Sequence, residues 1–508
     1  MQTNIIVVGG GASCIAFVDA LLRKKHIGKL NDIFITILEK AEEIGPGNAY
    51  SSDLTSNLLN TKAGYITVFK DHPGDFFDWL GYNEYKWRRK YPDLEINYDT
   101  YAPRSLFGMY MKDAFSYVCA RARRSGIGVK VIRGEVISIE KTTANRVSVI
   151  TRNGVMVEGN KVILACGTQQ RSPALLPHSK DIIHSPYPTK DLVGKVSADE
   201  RVAVVGARLS AIDGIIALVE SGHRGPITIY SRSGFFPFVR GTQGRYKNAY
   251  LNLGYIVGNY PDLDFEQLSV LYMQERERYQ ALAGDNHFEE LPLPNKPIDS
   301  LEDFLVRELH LAECDRGWQA ILYDTNPSID KIWDRLKSEE QRVFMGEYFS
   351  SAMSLRVSIP PENAKKILNY LRSGQLKFVA GDISVDIENG AAQIRCNDNC
   401  IVVDKIIYAT GSPKSLSEMD SPLVRNLLES GIGAENKFGG LDVCKVDYGL
   451  FDRNSQMSTD IFAIGELTSG RFLFTSALDI IVRHAHACAD SVEKFITGKE
   501  FSVTTVEA

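Results

Sequence analysis

Residues 4–14 read NIIVVGGGASC, and the architecture follows from them. The apolar, β-branched run Asn4–Gly10 has the length and composition of a buried strand. Three glycines come next, and residues 12–25 place Ile15, Val18, Leu21 and Leu22 at helical spacing. IFITILE (33–39) is a second buried strand, ending in an acid, Glu39. Strand, glycine turn, helix and strand, with the strands almost wholly apolar, indicate a parallel sheet covered on both faces. Gly9 permits the tight turn and Gly11 lets the backbone come close to a ligand. The helix beginning at Ala12 and Ser13 then offers free N–H groups and the positive end of its dipole to an anion. Cys14, at the third glycine position, is small enough to pack helix against strand.

An acid closing the second strand can accept both hydroxyls of a ribose, and it repels a 2′-phosphate. Glu39 lies 28 residues beyond Gly11, with the polar stretch KKHIGKLND taking up the extra length. The turn and the acid together predict a dinucleotide of the FAD or NAD kind. Thr459–Glu466, TDIFAIGE, resembles the late motif of two-dinucleotide flavoproteins, in which a strand ends in Gly-Asp and the acid holds the ribitol chain. That resemblance favours FAD and assigns Gly465 and Glu466 to it, with Glu in place of Asp.

A second glycine turn follows the buried strand RVAVVGA (201–207). Gly206-Ala207-Arg208-Leu209-Ser210-Ala211-Ile212-Asp213 aligns with the Gly-x-Gly-Gln-Ser-Ala-x-Glu pattern of NADPH sites in flavin-dependent amine hydroxylases. Arg208 replaces the middle glycine and Leu209 the glutamine. A side chain at the middle position crowds a pyrophosphate, so Arg208 must swing away or offer its guanidinium to the phosphates. Arg232 ends the next strand, flanked by Ser231 and Ser233, and suits an adenosine 2′-phosphate. NADPH is therefore expected over NADH, with Gly206, Arg208, Leu209, Ser210 and Arg232 as its site.

With both turns in place, the chain resembles the FAD/NAD(P)-binding family of bacterial proteins, related to the flavin-dependent N-hydroxylating monooxygenases. The segments carrying the resemblance are GNAYSS (47–52), LLNT (58–61), HPGDFFDWL (72–80), APRSLFGMYM (102–111), SGHRGPITIYSRSGFFP (221–237), IYATGSP (407–413) and AIGELTSGRF (463–472). The resemblance implies an α/β fold: a two-dinucleotide-binding flavoprotein with two Rossmann-like domains and a helical insertion. It also implies oxygen insertion into an amine or amino-acid nitrogen through a flavin C4a-hydroperoxide, with molecular oxygen as co-substrate. Asn60 and Thr61 are expected at the isoalloxazine edge, and Arg104 at the pyrophosphate or a substrate carboxylate. Asn60 and Arg104 are the candidates for a catalytic role, the hard chemistry being the cofactor's.

The expected division is 1–170 with 400–508 for FAD, 171–244 with 356–399 for NADPH, and 245–355 as a helical insertion serving substrate or interface. That insertion, with runs such as IWDRLKSEEQRVFMGEYF, names no substrate. Composition bounds the rest. The chain has 508 residues, 44% apolar and 24% charged, and a net charge of −5. Nothing in it suggests nucleic acid as a partner. No apolar run reaches membrane-spanning length, and no basic region precedes the first one, so a cytoplasmic location is expected. The eight cysteines include no Cys-x-x-Cys pair and read as free thiols, and no metal is expected. A homo-oligomer is left open. Two other readings remain at this stage: a flavin oxidase, dehydrogenase or reductase that uses NADPH poorly, and a non-catalytic flavin-binding regulatory or partner-binding protein.

Overall fold

The structure is a computed structural model that describes residues 2–26, 32–143, 146–241, 246–283, 289–292 and 296–498. The chain forms two compact units. The first comprises residues 1–55, 61–172 and 412–508, and the second 56–60 and 173–411.

The first unit is built on a six-stranded sheet in the order 449–451, 457–463, 161–164, 3–8, 33–39, 128–133. All pairings are parallel except that of Gly449–Phe451 with Met457–Ala463. Ile5, Ile6 and Val7 are fully buried, as a strand covered on both faces requires. Strand Thr3–Val8 has the next strand in sequence, Ile33–Glu39, on one side and the distant Lys161–Leu164 on the other. The sheet order therefore reverses at its carboxyl end, where open α/β sheets bind ligands. Helix Ala12–His26 leaves this point, and helix Leu478–Thr497 packs along it.

The second unit repeats the plan with a five-stranded parallel sheet in the order 376–380, 227–231, 202–205, 405–408, 182–183. Strand Val202–Val205 has Ile227–Ser231 on one side and Lys405–Tyr408 on the other, so its order also reverses there. Helix Leu209–Glu220 follows the turn. Residues 383–403 form a three-stranded antiparallel sheet: Ile383–Glu388, Ala391–Cys396 and Asn399–Val403. Asn389 and Gly390, both at positive φ, make the first of its hairpin turns.

Helices predominate among the described residues between Leu253 and Arg356, but IWDRLKSEEQRVFMGEYF is not one helix. It divides into Ile329–Arg335, Ser338–Val343, a π-helical turn Phe344–Tyr348 and Phe349–Arg356. The first break has a tertiary cause. Leu263 donates its N–H to the Arg335 carbonyl and accepts from the Lys337 N–H, taking backbone groups that a continuous helix would use internally.

All eight cysteines are free. Among the described residues no helix is long and apolar enough to cross a membrane, and no cluster of side chains could hold a metal ion. Helix Leu478–Thr497 carries His484 and His486. His484 is buried, with its ring 4.5 Å from that of Phe472 and 5.5 Å from that of Tyr448. His486 stands 4.0 Å from the buried Asp19. Burial, aided by the charges of Lys70 and Arg23 and opposed by Asp19 and Asp490, pushes its imidazole down to about 4. The unfolded chain takes up this proton near pH 6.5 and the folded chain only near 4, so acidification through that window favours unfolding. His486→Gln is expected to remove up to about 3 kcal/mol of stability loss between pH 6.5 and pH 4, read from denaturant midpoints across that range. An unchanged pH slope would show that His486 does not control it.

Candidate nucleotide sites

At the first glycine turn, Gly9 has φ +106°, and a Cβ there would collide with the Ala165 carbonyl, which directly follows the neighbouring strand. Its N–H bonds the Leu38 carbonyl at 2.8 Å, locking the turn to the strand on the other side. Gly11 is different. A Cβ there would meet the backbone of Gly47, its Cα at 3.6 Å and its N at 3.9 Å, ordinary contacts. Packing therefore does not require glycine at 11; what its absent side chain leaves is room in front of a helix N-terminus. Gly47 lies opposite, in a loop tied back by the Gly45 N–H to the Gly10 carbonyl at 2.9 Å. Ala12 and Ser13 begin the helix, and Cys14 is fully buried behind it. Both oxygens of Glu39 accept backbone N–H groups, from Gly10 at 2.6 Å and from Ala41 at 2.8 Å. Each carboxylate oxygen retains acceptor capacity, so Glu39 braces the turn and can still accept from a ligand hydroxyl.

The late motif converges on the same turn. Strand Met457–Ala463 ends beside Lys161–Leu164, and Gly465 follows at φ +77°. A Cβ on Gly465 would come within 3.1 Å of the Ser13 Oγ. Glu466, the next residue, is half-buried, and its carboxyl receives a single long hydrogen bond, from the Thr475 hydroxyl at 3.3 Å. Burial raises its pKa above the usual carboxylate range, and the Thr475 bond only partly opposes this. A half-buried carboxyl with one long hydrogen bond among the described residues, beside a helix N-terminus, fits a group that donates several hydroxyls. FAD, with ribose and ribitol hydroxyls on either side of a pyrophosphate, is such a group.

The second turn has the same frame. Gly206 has φ +116°, its N–H bonds the Tyr230 carbonyl at 2.9 Å, and a Cβ there would collide with the Ala409 carbonyl. Arg208 caps helix Leu209–Glu220 with an extended backbone, and Leu209 and Ser210 form its first turn. The Arg208 side chain swings onto the helical insertion, where its Nη2 donates to the Ser350 hydroxyl at 3.0 Å and the Ser350 carbonyl at 3.3 Å. Burial lowers the Arg208 pKa, and the positive charge of Arg232 lowers it further. Among the described residues neither Arg208 nor Arg232 forms a salt bridge with a carboxylate.

Residues 6–169 match the model of a family described as FAD-NAD(P)-binding. This segment is an FAD-NAD(P)-binding domain. A search of curated proteins by sequence found no match. The fold over nearly the whole chain is that of solved flavoproteins. An ornithine hydroxylase from Pseudomonas aeruginosa, in its reduced form, matches with a TM-score of 0.56 at 14% identity, covering 98% of this chain and 100% of its own. The ornithine N-hydroxylase of Kutzneria sp. 744, solved with reduced FAD, NADP+ and L-ornithine, matches at 0.58 and 13%, covering 97% and 99%. L-lysine 6-monooxygenase from Pseudomonas syringae matches at 0.53 and 14%, covering 97% and 100%.

The FAD-NAD(P)-binding domain also contains Arg104, the first residue of helix Arg104–Arg124, half-buried after Pro103. Its charge lowers the pKa of Tyr50, although burial of that phenol outweighs it. Thr61 lies in the first unit and Asn60 in the second, so the chain passes from one to the other between them. The motif acid Asp213 is buried and accepts the Tyr187 hydroxyl at 2.6 Å. Of the basic stretch after the second turn, Arg240 donates to Ser358, Tyr246 to Glu275 and Lys247 to Asp324. Arg245 lies outside the described residues.

Two further glycines were given no role in the sequence analysis, although one of them lies in IYATGSP. Gly167, at φ +66°, and Gly411, at φ +74°, each follow the strand that abuts a glycine turn, and each faces open space. The signal was present as a repeated pattern, Ala-Cys-Gly-Thr after one buried strand and Tyr-Ala-Thr-Gly after the other.

Proposed function

We propose that this chain is an FAD-dependent, NADPH-linked monooxygenase that hydroxylates a nitrogen of a small amine or amino acid. What supports the NADPH assignment is Arg208, held at the second turn by the Ser350 hydroxyl and carbonyl, with Arg232 directly after strand Ile227–Ser231; among the described residues neither forms a salt bridge with a carboxylate. A doubly charged 2′-phosphate is the natural complement of two such groups. The first turn, where Glu39 stands in the corresponding place, would repel it. The N-hydroxylating part of the reading draws on the shared fold, since the three matched hydroxylases act on ornithine or lysine.

In this account residues 1–170 and the chain from 412 onward bind FAD, 171–244 and 356–399 bind NADPH together with 400–411, whose strand Lys405–Tyr408 lies in the second sheet, and 245–355 serve the substrate or an interface. The free N–H groups behind Gly9 and Gly11, at Ala12 and Ser13, hold the pyrophosphate. Glu39 accepts from the ribose, and Glu466, after Gly465, accepts from the ribitol chain. Asn60 and Thr61 serve the isoalloxazine edge. Arg104 holds an anionic group, either the pyrophosphate or a substrate carboxylate. At the second turn, Gly206 lets the chain bend, while Leu209 and Ser210 present the helix N-terminus. When bound, FAD supplies the electron transfer and the activation of oxygen. The protein's part is to bind, to orient and to exclude water. The scattered free thiols supply no dithiol pair for a disulfide-reductase alternative.

Glu466→Gln separates the two roles of that residue. A carboxyl whose folded pKa exceeds its unfolded value costs stability as pH rises through the interval between them and above it. The variant is expected to raise the stability of the FAD-free protein at neutral pH by about 1 kcal/mol, read by thermal melting. It is also expected to weaken FAD binding, read by flavin release. Loss of stability in the variant would mean that the carboxylate is better satisfied than its single long bond implies.

The function itself is tested by oxygen and NADPH consumption with ornithine, lysine and short diamines as substrates. The expected result is NADPH oxidation that rises with one of these amines and yields its hydroxylamine in step. NADPH oxidation that yields only hydrogen peroxide with every amine would overturn the reading.

A further inference from the structure

We propose that Ser350, on the helical insertion, positions Arg208 and thereby makes the insertion part of the 2′-phosphate selectivity of the second nucleotide site. The proposal rests on the assignment of that site to NADPH. An arginine has five N–H donors in a fixed fork. Both contacts to Ser350 leave from Nη2, so the N–H groups of Nε and Nη1 remain for an anion. Ser350 supplies two neutral acceptors, a hydroxyl and a carbonyl. It therefore fixes the guanidinium in place without cancelling its charge. A carboxylate in the same position would hold it as well and neutralise it.

The placement is unusual in two respects. The side chain that Ser350 holds replaces the glycine at the middle of the turn, and the positive charge of Arg232 adds to burial in disfavouring its charged form. Holding two cations together without a counter-ion is unfavourable unless an anion joins them. Ser350 is the second residue of helix Phe349–Arg356, directly after the π-helical turn Phe344–Tyr348. Such turns shift the phase of a helix and recur at functional sites. This one sets the angular position of the residues after it, Ser350 among them. Sequence alone could not reveal the contact, because 142 residues separate the partners.

The test is the ratio of NADPH to NADH affinity of the FAD-loaded full-length protein, measured by anaerobic titration for wild type, Ser350→Ala, Ser350→Thr and Ser350→Asp. Ser350→Ala is expected to weaken NADPH about 3- to 10-fold and leave NADH unchanged. Ser350→Thr, which keeps the hydroxyl, should restore the wild-type ratio. Ser350→Asp, which holds Arg208 but cancels its charge, should weaken NADPH more than Ser350→Ala does, again without affecting NADH. An unchanged ratio in both the Ala and Asp variants would overturn the proposal. So would an equal loss for both nucleotides, which marks a purely structural contact. A wild-type protein with no preference for NADPH would instead overturn the assignment of the site, and the proposal with it.

Discussion

Gly9→Ala is expected to destroy the FAD-NAD(P)-binding domain, whereas Gly11→Ala leaves it folded and impairs only its ligand. At position 9 two penalties combine. A left-handed or otherwise positive φ costs a non-glycine residue about 1–3 kcal/mol, and φ here is +106°. The new Cβ would also collide with the Ala165 carbonyl, which directly follows the adjacent strand Lys161–Leu164 and cannot rotate away. Relieving that overlap means shifting backbone inside a close-packed sheet, and a total loss above about 4 kcal/mol is expected. The protein should be recovered largely insoluble or without flavin. At position 11 the added methyl meets the Gly47 Cα at 3.6 Å and needs no rearrangement. The FAD-free Gly11→Ala protein should therefore melt close to wild type while binding FAD at least 10-fold more weakly, a cost of about 1.4 kcal/mol or more. Thermal melting with and without FAD, together with flavin content after purification, distinguishes the two. Equal melting losses in both variants would mean that Gly11, too, is held by packing.

Removing both guanidinium groups at the second turn should have the largest effect on nucleotide use. Hydrogen bonds to charged groups contribute about 1.5–3 kcal/mol each. Arg208→Ala combined with Arg232→Ala is thus expected to weaken NADPH more than either single variant, by about 100-fold or more. NADH, which lacks the 2′-phosphate, should lose far less. Each single variant should show part of this loss. Because the two charges share one anion, the single effects should not sum to the double one. If Arg208 merely obstructs the turn, Arg208→Gly will tighten both nucleotides, and the two-cation account of the site fails. Binding measured by flavin reduction at several salt concentrations adds an independent check, since a charge-assisted contact weakens as salt rises.

Much of this frame was legible in the sequence, for a physical reason. Strands buried on both faces must be almost wholly apolar, and Asn4–Gly10 and Arg201–Ala207 advertise themselves in that way. Glycines that follow such strands have few other uses. The direction of a long side chain is another matter. From the sequence, Arg208 had two options, and what settles its position is Ser350, far along the chain. The same holds for the helical run from Ile332 to Phe349. Its composition favours one helix, and only the pairing of Leu263 with the chain around Leu336 breaks it. Glu39 was legible as the acid that ends a strand. Its use as a brace for the Gly10 and Ala41 N–H groups was not, because both contacts depend on how the turn closes. The segment 56–60 belongs to the second unit although it interrupts the first. Asn57 anchors it there by donating to the Thr189 hydroxyl at 2.8 Å, a bond between residues that no local pattern connects.

The account stands or falls on whether electrons enter through the second turn. The direct measurement is anaerobic mixing of the FAD-loaded protein with NADPH and, separately, with NADH, following the visible flavin band. Fast bleaching by NADPH, with NADH markedly slower or requiring much higher concentration, is the predicted result. Bleaching by neither nucleotide, with or without an amine present, would contradict it.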